Sequence, residues 1–436
     1  MIPRITWVIF SLTCVYVFKG FVSPILSAVC VSGHFNNPAM VTAYLHGRCV
    51  FRHLRWPFHS SHLFHQRRCN MNIKKTIFIL IAILALSPMV AFGKNSVSVG
   101  AVYVMSNDPA GNEIVAFDRN FRGKLKWANS YDTFGLGSGD SIDPLGSQGA
   151  LILSPNKRWL FAVNAGSDNI SVFRVRRHGL KWIGNFDSGG QFPVSLAFYH
   201  NLLYVLNAGQ DGNSPNITGL TINRYGELTP IDGSTRFLGE GEYHQVGFSP
   251  HGNAVIVTQG APVGQILVFG VDEEGIPEDQ PTITPSAGVV PFSFIFDRRR
   301  RLLVTEAGSG AVSSYALLKD NTLEVIDATV ENGNKATCWI AGTWFGIAVT
   351  ANTGSDNLST YRVKLGSGKL RLLKPIAASG NKPIDMAISA NGIYLYVLNA
   401  GDGSVGAYRI SPDGSLTDLG SVSGLTPLIA QGIAAF

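Results

Sequence analysis

The chain has 436 residues, 45% hydrophobic and only 15% charged, with 48 glycines. That balance is ample for a large core and suits a turn-rich β-protein. The net charge of +6 is no nucleic-acid footprint: residues 1–70 hold seven Lys or Arg and no acid, Lys74 and Lys75 add two, and residues 94–436 are left at −3.

The N-terminal stretch MIPRITWVIFSLTCVYVFKGFVSPILSAVC can be read as a membrane segment or as an extension without a role. The His- and Cys-rich HGRCVFRHLRWPFHSSHLFHQRRC follows it. Its spacings match no zinc pattern, so no metal is expected. Four of the five cysteines (Cys14, Cys30, Cys49, Cys69) lie here, and Cys338 alone remains in the body. An exported mature chain then has no internal disulfide to rely on.

From Met71 the chain reads MNIKKTIFILIAILALSPMVAFGKNS. Lys74 and Lys75 precede an apolar run, Ser87 and Pro88 break it, and Ala91-Phe92-Gly93 supplies small residues at a cleavage site. Residues 71–93 are a secretory signal on this reading. The alternative, an uncleaved anchor, has an apolar core short for a span. Signals belong at N-termini, so Met71 reads as the true start and residues 1–70 as a spurious or disordered extension. Residues 94–436 form the mature protein.

The body repeats a phrase. SPNKRWLFAVNAGSDNISVF (154–173) returns as SANGIYLYVLNAGDGSVGAY (389–408), with weaker copies between. One slot recurs as Asn107, Asn164, Asn207, Gln259, Glu306, Asn352 and Asn399, and the last three intervals are 47, 46 and 47 residues. Each unit runs apolar strand, polar turn, hydrophobic strand, Gly/Asp/Ser turn, alternating strand, and a last strand opened by Gly-x-Leu. Four short strands at this spacing predict blades of an all-β propeller. A blade's apolar faces are buried only by its neighbours, so the units must close into a ring. VYVMSN (102–107) starts the series at a second strand and QGIAAF (431–436) ends it as a first strand. Their pairing would close seven four-stranded antiparallel blades.

In such a meander the first strand begins and the second ends on one face. The slot residues and Gln148, Pro193, His244, Ser293, Thr337 and Asp385 should therefore converge on one channel mouth. Asn164, Asn207, Gln259, Asn352 and Asn399 are candidates to bind a ligand there, with Asp385. Asn before a tight turn also has an ordinary structural reading as a turn cap. Glu306 is the one slot carboxylate, and a buried charge needs a partner or a function. His244, in the preceding blade, is its expected partner within hydrogen-bond or one-water reach. A His–carboxylate pair can perform acid/base work near neutral pH; a self-satisfied polar plug is the plainer alternative. The run Arg298–Arg301 falls in a turn on the opposite face and reads as solvated.

These features resemble the seven-bladed lactonase family, which includes 6-phosphogluconolactonases and carboxymuconate lactonizing enzymes. The resemblance spans residues 100–436 and rests on the SPxG…YVxN phrases, the histidine before FSP, and Glu in the next blade's slot. It implies a catalytic pair, here His244 and Glu306, flanked by arginines that hold an anionic substrate. Those arginines are replaced: VVPFS has Phe292 and Ser293, and ANTG has Thr353. Lys335 and Lys382 could substitute only as point charges.

The sequence thus leaves two readings. One is an exported, cofactor-free lactonase, periplasmic or secreted, working as a monomer on a neutral or weakly charged lactone or sugar-acid-like molecule. The other is a non-catalytic propeller that binds a ligand or a protein. Neither involves nucleic acid or, in the mature form, a membrane span.

Overall fold

The computed structural model describes residues 14–18, 21–25, 98–139, 141–210 and 212–436. The chain divides into two compact units, Met1–Val90 and Ala91–Phe436. In the first, Cys14–Phe18 pairs with Phe21–Ile25 as a hairpin. The expected signal, 71–93, lies outside the described residues. No helix among the described residues is long and apolar enough to cross a membrane.

The second unit is the seven-bladed propeller that the repeat grammar predicts. Blades 2 and 4 to 7 are antiparallel meanders over 151–187, 243–285, 291–331, 337–379 and 383–423. Blade 3 (193–237) divides its outer strand into Leu228–Pro230 and Arg236–Phe237. Blade 1 is composite: Ile433–Ala435 pairs with Ser98–Met105, the first of three N-terminal strands. Inner strands contact their neighbours in cyclic order, so no blade face is left uncovered at a seam.

Side chains explain the repeated phrases. The serine of each Ser-Pro or Ser-Ala turn accepts from the N–H five residues on: Ser154 from Trp159, Ser249 from Ala254 and Ser389 from Tyr394. The turns into the outer strands, Gly-x-Leu in three of four cases, receive latches from the preceding blade. Tyr204 donates to Gly275 O, Ser314 to Gly368 O, Thr360 to Gly414 O and, across the closure, Tyr396 to Gly123 O. Such a bond contributes about 1 kcal/mol net. Gly123 is required twice over: its φ is +80°, and a Cβ would lie 2.3 Å from the Tyr394 ring.

The arginine run is only partly solvated. Arg298, Arg299 and Arg300 are exposed in the turn, but Arg301 is buried against Asp297 at 2.5 Å. Asp297 occupies the place that Ser154 and Ser249 hold in other blades, accepting the Arg301 N–H through Oδ1 (3.0 Å).

Candidate active site at the channel mouth

Five inner strands carry a bulge at the same place, where two residues face one on the second strand. The ladder breaks around Val194, His244, Phe292–Ser293, Cys338 and Asp385. A bulge re-aims its extra side chain out of the sheet's alternation. The mouth is therefore lined in a phase that strand counting alone does not supply: Pro193 and Thr337 pair with slots Asn207 and Asn352, and their successors take the bulge.

The sequence reading missed a further part. Eighteen residues (133–150) connect blades 1 and 2, against five in each of the next four connections. Residues 143–149 of this crossing form a plug that bonds to non-adjacent blades. Ser147 Oγ donates to Val194 O in blade 3, and Gln148 N to His244 O in blade 4. Trp339 Nε1 and Ile340 N, both in blade 6, donate to Ser147 O and Gln148 Oε1. Gln431, at the closure, donates to Ser147 O and to Asp143 Oδ1. The available signal was spacing: Asn107 to Asn164 is 57 residues, against 43 to 52 for the later intervals.

His244 is 7% exposed. Its Nδ1 lies 2.7 Å from the plug carbonyl of Gly146, and Nε2 is buried with no hydrogen-bond partner among the described residues. The ring stacks on Phe292 (centroids 4.3 Å, 22°), which meets Trp339 edge-on at 5.1 Å. Burial lowers the imidazole pKa, opposed by the Gly146 bond and the Glu242 charge. The ring is thus held neutral near pH 7.

Glu306 has different partners. It is fully buried, and Oε1 accepts from Ser286 Oγ at 2.8 Å and from Tyr315 OH at 3.4 Å. Oε2 has no hydrogen-bond partner among the described residues. Burial raises its pKa against the Ser286, Ser313 and Tyr315 hydroxyls. Among the described residues no hydrogen bond joins it to His244.

Apart from Asn107, which donates to Ile429 O and accepts from Ser138 N, the slot amides face the third strand of their own blade. Asn164 donates to Asn169 and Ser171, Asn352 to Asn357 and Ser359, Asn207 to Asn216, and Asn399 to Ser404. Gln259 accepts from Gln265. Several also tie down the loop above them, as Asn207 does through Ser188 O and Gln259 through Glu240 O. Asn207 and Asn399 each keep a buried Oδ1 without a partner. Asp385 accepts from Met386 N through Oδ1 and leaves Oδ2 unpartnered; burial and the Asp143 charge raise its pKa to about 7.

The Lactonase, 7-bladed beta-propeller family matches residues 110–241 and 239–428. The chain belongs to this family. No curated protein matches it. Among solved structures it is similar to the periplasmic gluconolactonase of Pseudomonas aeruginosa (18% identity, TM-score 0.62, covering 76% of this chain and 98% of that one). A Bacteroides fragilis protein provisionally assigned as a 6-phosphogluconolactonase is equally similar (18%, 0.62, 79% and 99%). A Lactobacillus plantarum protein follows (16%, 0.61, 78% and 100%). At such identity these likenesses carry the fold alone.

Within this lactonase-family ring, the positions where the resemblance implies arginines are filled otherwise. Phe292 gives its ring to His244, and Thr353 donates to Pro383 O at 2.7 Å. Of the two lysines, Lys382 pairs with Asp356 at 3.4 Å. Among the described residues no cluster of three metal-ligating side chains occurs.

Proposed function

We propose that the protein is an exported lactonase, periplasmic or secreted, that opens a neutral or weakly charged lactone at the channel mouth. One observation carries the reading: His244 presents an unpartnered, buried Nε2 while its other nitrogen is fixed. A neutral imidazole with a free lone pair is a general base. Nε2 takes a proton from water as the water oxygen adds to the lactone carbonyl. It returns that proton to the ring oxygen as the acyl–oxygen bond breaks, leaving the hydroxy acid. Glu306 acts at one remove, holding the loop 286–290 through Ser286; a Cβ placed on Gly260 would meet both Nε2 and the Val290 methyl, so this loop walls the base. Family membership and the fold shared with a periplasmic gluconolactonase support the class, and the signal-like 71–93 supports export. With Phe292 and Thr353 where arginines are implied, those two positions offer no bidentate clamp for a multiply charged acid.

The test is a panel of lactones, charged and uncharged, assayed with the native protein and with His244→Ala. Hydrolysis of an uncharged lactone that disappears in the variant supports the reading. Turnover that survives His244→Ala removes this histidine from the mechanism.

The plug favours a second reading, a propeller that binds without turnover, since residues 143–149 already engage His244. Saturable lactone binding by calorimetry with no product formed would select it.

A further inference from the structure

We infer that the plug is the positioning element of the candidate base: the carbonyls of Gly146 and Ser147 lock His244 in the Nδ1–H tautomer and leave Nε2 as a bare acceptor. This rests on the reading of His244 as the base, but not on the identity of the substrate.

The geometry points to it from both ends of one stack. A carbonyl oxygen only accepts, so the 2.7 Å contact from His244 to Gly146 O places the ring proton on Nδ1. The next carbonyl, Ser147 O, accepts the Trp339 indole N–H at 2.9 Å. Phe292 lies between the two donors, stacked on His244 and edge-on to Trp339. Two consecutive plug carbonyls thus clamp a three-ring stack drawn from blades 4, 5 and 6. The clamp is anchored through backbone as well: Gln148 N donates to His244 O, and its side-chain Oε1 accepts Ile340 N. Sliding the plug would break the contacts to both outer rings together.

A histidine fixed by a carboxylate gains a counter-charge that favours its protonated form; one fixed by a carbonyl gains orientation with a smaller change in charge preference. The role expected of Glu306 on His244 is therefore filled by an uncharged group from a different part of the chain. The nearby charge is that of Glu242, while Glu306 is engaged by Ser286 and Tyr315. Such a base works across neutral pH without a partner acid.

The experiment is nitrogen NMR on the full protein labelled with 15N-histidine, with His244 assigned by the signals lost in His244→Gln. Between pH 6 and 8 the expected spectrum has a protonated Nδ1 and an unprotonated Nε2, with the Nε2–H form below detection. An Nε2–H tautomer, or an imidazolium at pH 7, overturns the proposal. Trp339→Phe keeps the ring and removes the donor to Ser147; it should bring the second tautomer into view. An unchanged spectrum in that variant overturns the two-carbonyl clamp. Lactone hydrolysis is scored separately: the expected tautomer without turnover defeats the hydrolase reading and leaves the positioning role standing.

Discussion

Glu306 stands opposite Ala311 in the ladder of blade 5, where blades 2 and 6 set Asn164 opposite Asn169 and Asn352 opposite Asn357. Alanine offers no donor, so the carboxylate turns to Ser286 and leaves Oε2 buried without a partner. Burial raises its pKa, which means that the folded state holds the proton more tightly than the unfolded one. The stability from this group is full below about pH 4.5 and is lost as pH rises through the raised folded value. Glu306→Gln, which cannot ionise, should match the parent at pH 4 and be the more stable of the two at pH 8. Urea unfolding at the two pH values checks this. A variant less stable than the parent at pH 8 would show that the carboxylate is compensated in the fold.

Asp385 gives a second pH dependence with the same sign. Its pKa moves from 3.8 to about 7, first through burial and then through the charge of Asp143 on the plug. Stability should therefore fall between pH 3.8 and about 7 and level off above that. The slope from one such proton is about 1.4 kcal/mol per pH unit. Asp385→Asn should make that part of the profile shallower without abolishing it, because burial raises Asp143 to about 7 as well. A slope in the variant equal to that of the parent would assign the dependence to other groups.

The ring, its closure and the opposite-face position of the arginine turn were legible in the sequence because each blade repeats a local grammar. Alternation, turn residues and a missing first strand are features that a single strand carries by itself. The site was legible only in outline. His244 and Glu306 both belong to the mouth, but the bulge at the start of blade 4 re-aims His244 toward the plug. The ladder phase instead sends Glu306 to Ser286 and Tyr315. Which way a side chain faces depends on register, and register depends on the partner strand. The plug has no periodicity at all, so only its surplus length marked it. Its hydrogen bonds reach groups such as Trp339, 192 positions away, and no local pattern encodes them.

The arginine run should separate cleanly under substitution. Arg301 reaches Asp297 Oδ2 through Nε at 2.8 Å and Nη2 at 2.5 Å, and both side chains are at most 10% exposed. Arg301→Ala strands a buried carboxylate that also shapes the turn, with an expected loss of about 3 kcal/mol. Arg299 is exposed, and Arg299→Ala should stay within about 0.5 kcal/mol of the parent. Chemical denaturation of the two variants side by side tests the contrast. Equal, small losses would mean that the ion pair is worth no more than a surface one.

Phe292 offers the sharpest test of how this chain departs from the pattern that its family resemblance implies. An arginine restored there would replace a ring that is 5% exposed and contacts His244 and Trp339. Its charge would enter a wall whose neighbouring rings and plug carbonyls offer dipoles but no carboxylate bonded to His244. Phe292→Arg should then cost about 3 kcal/mol or more, combining a buried charge with the loss of two aromatic contacts. Phe292→Leu, which keeps the site apolar, should cost about 1 kcal/mol. Trp339 fluorescence should change in the arginine variant as its edge contact is lost. No affinity for a dicarboxylate should appear while Gly146 O and Ser147 O hold the neighbouring His244 and Trp339. A Phe292→Arg protein with parental stability that binds a dicarboxylate would mean that the plug withdraws readily. The mouth would then be a family-type anion site closed only by a movable segment.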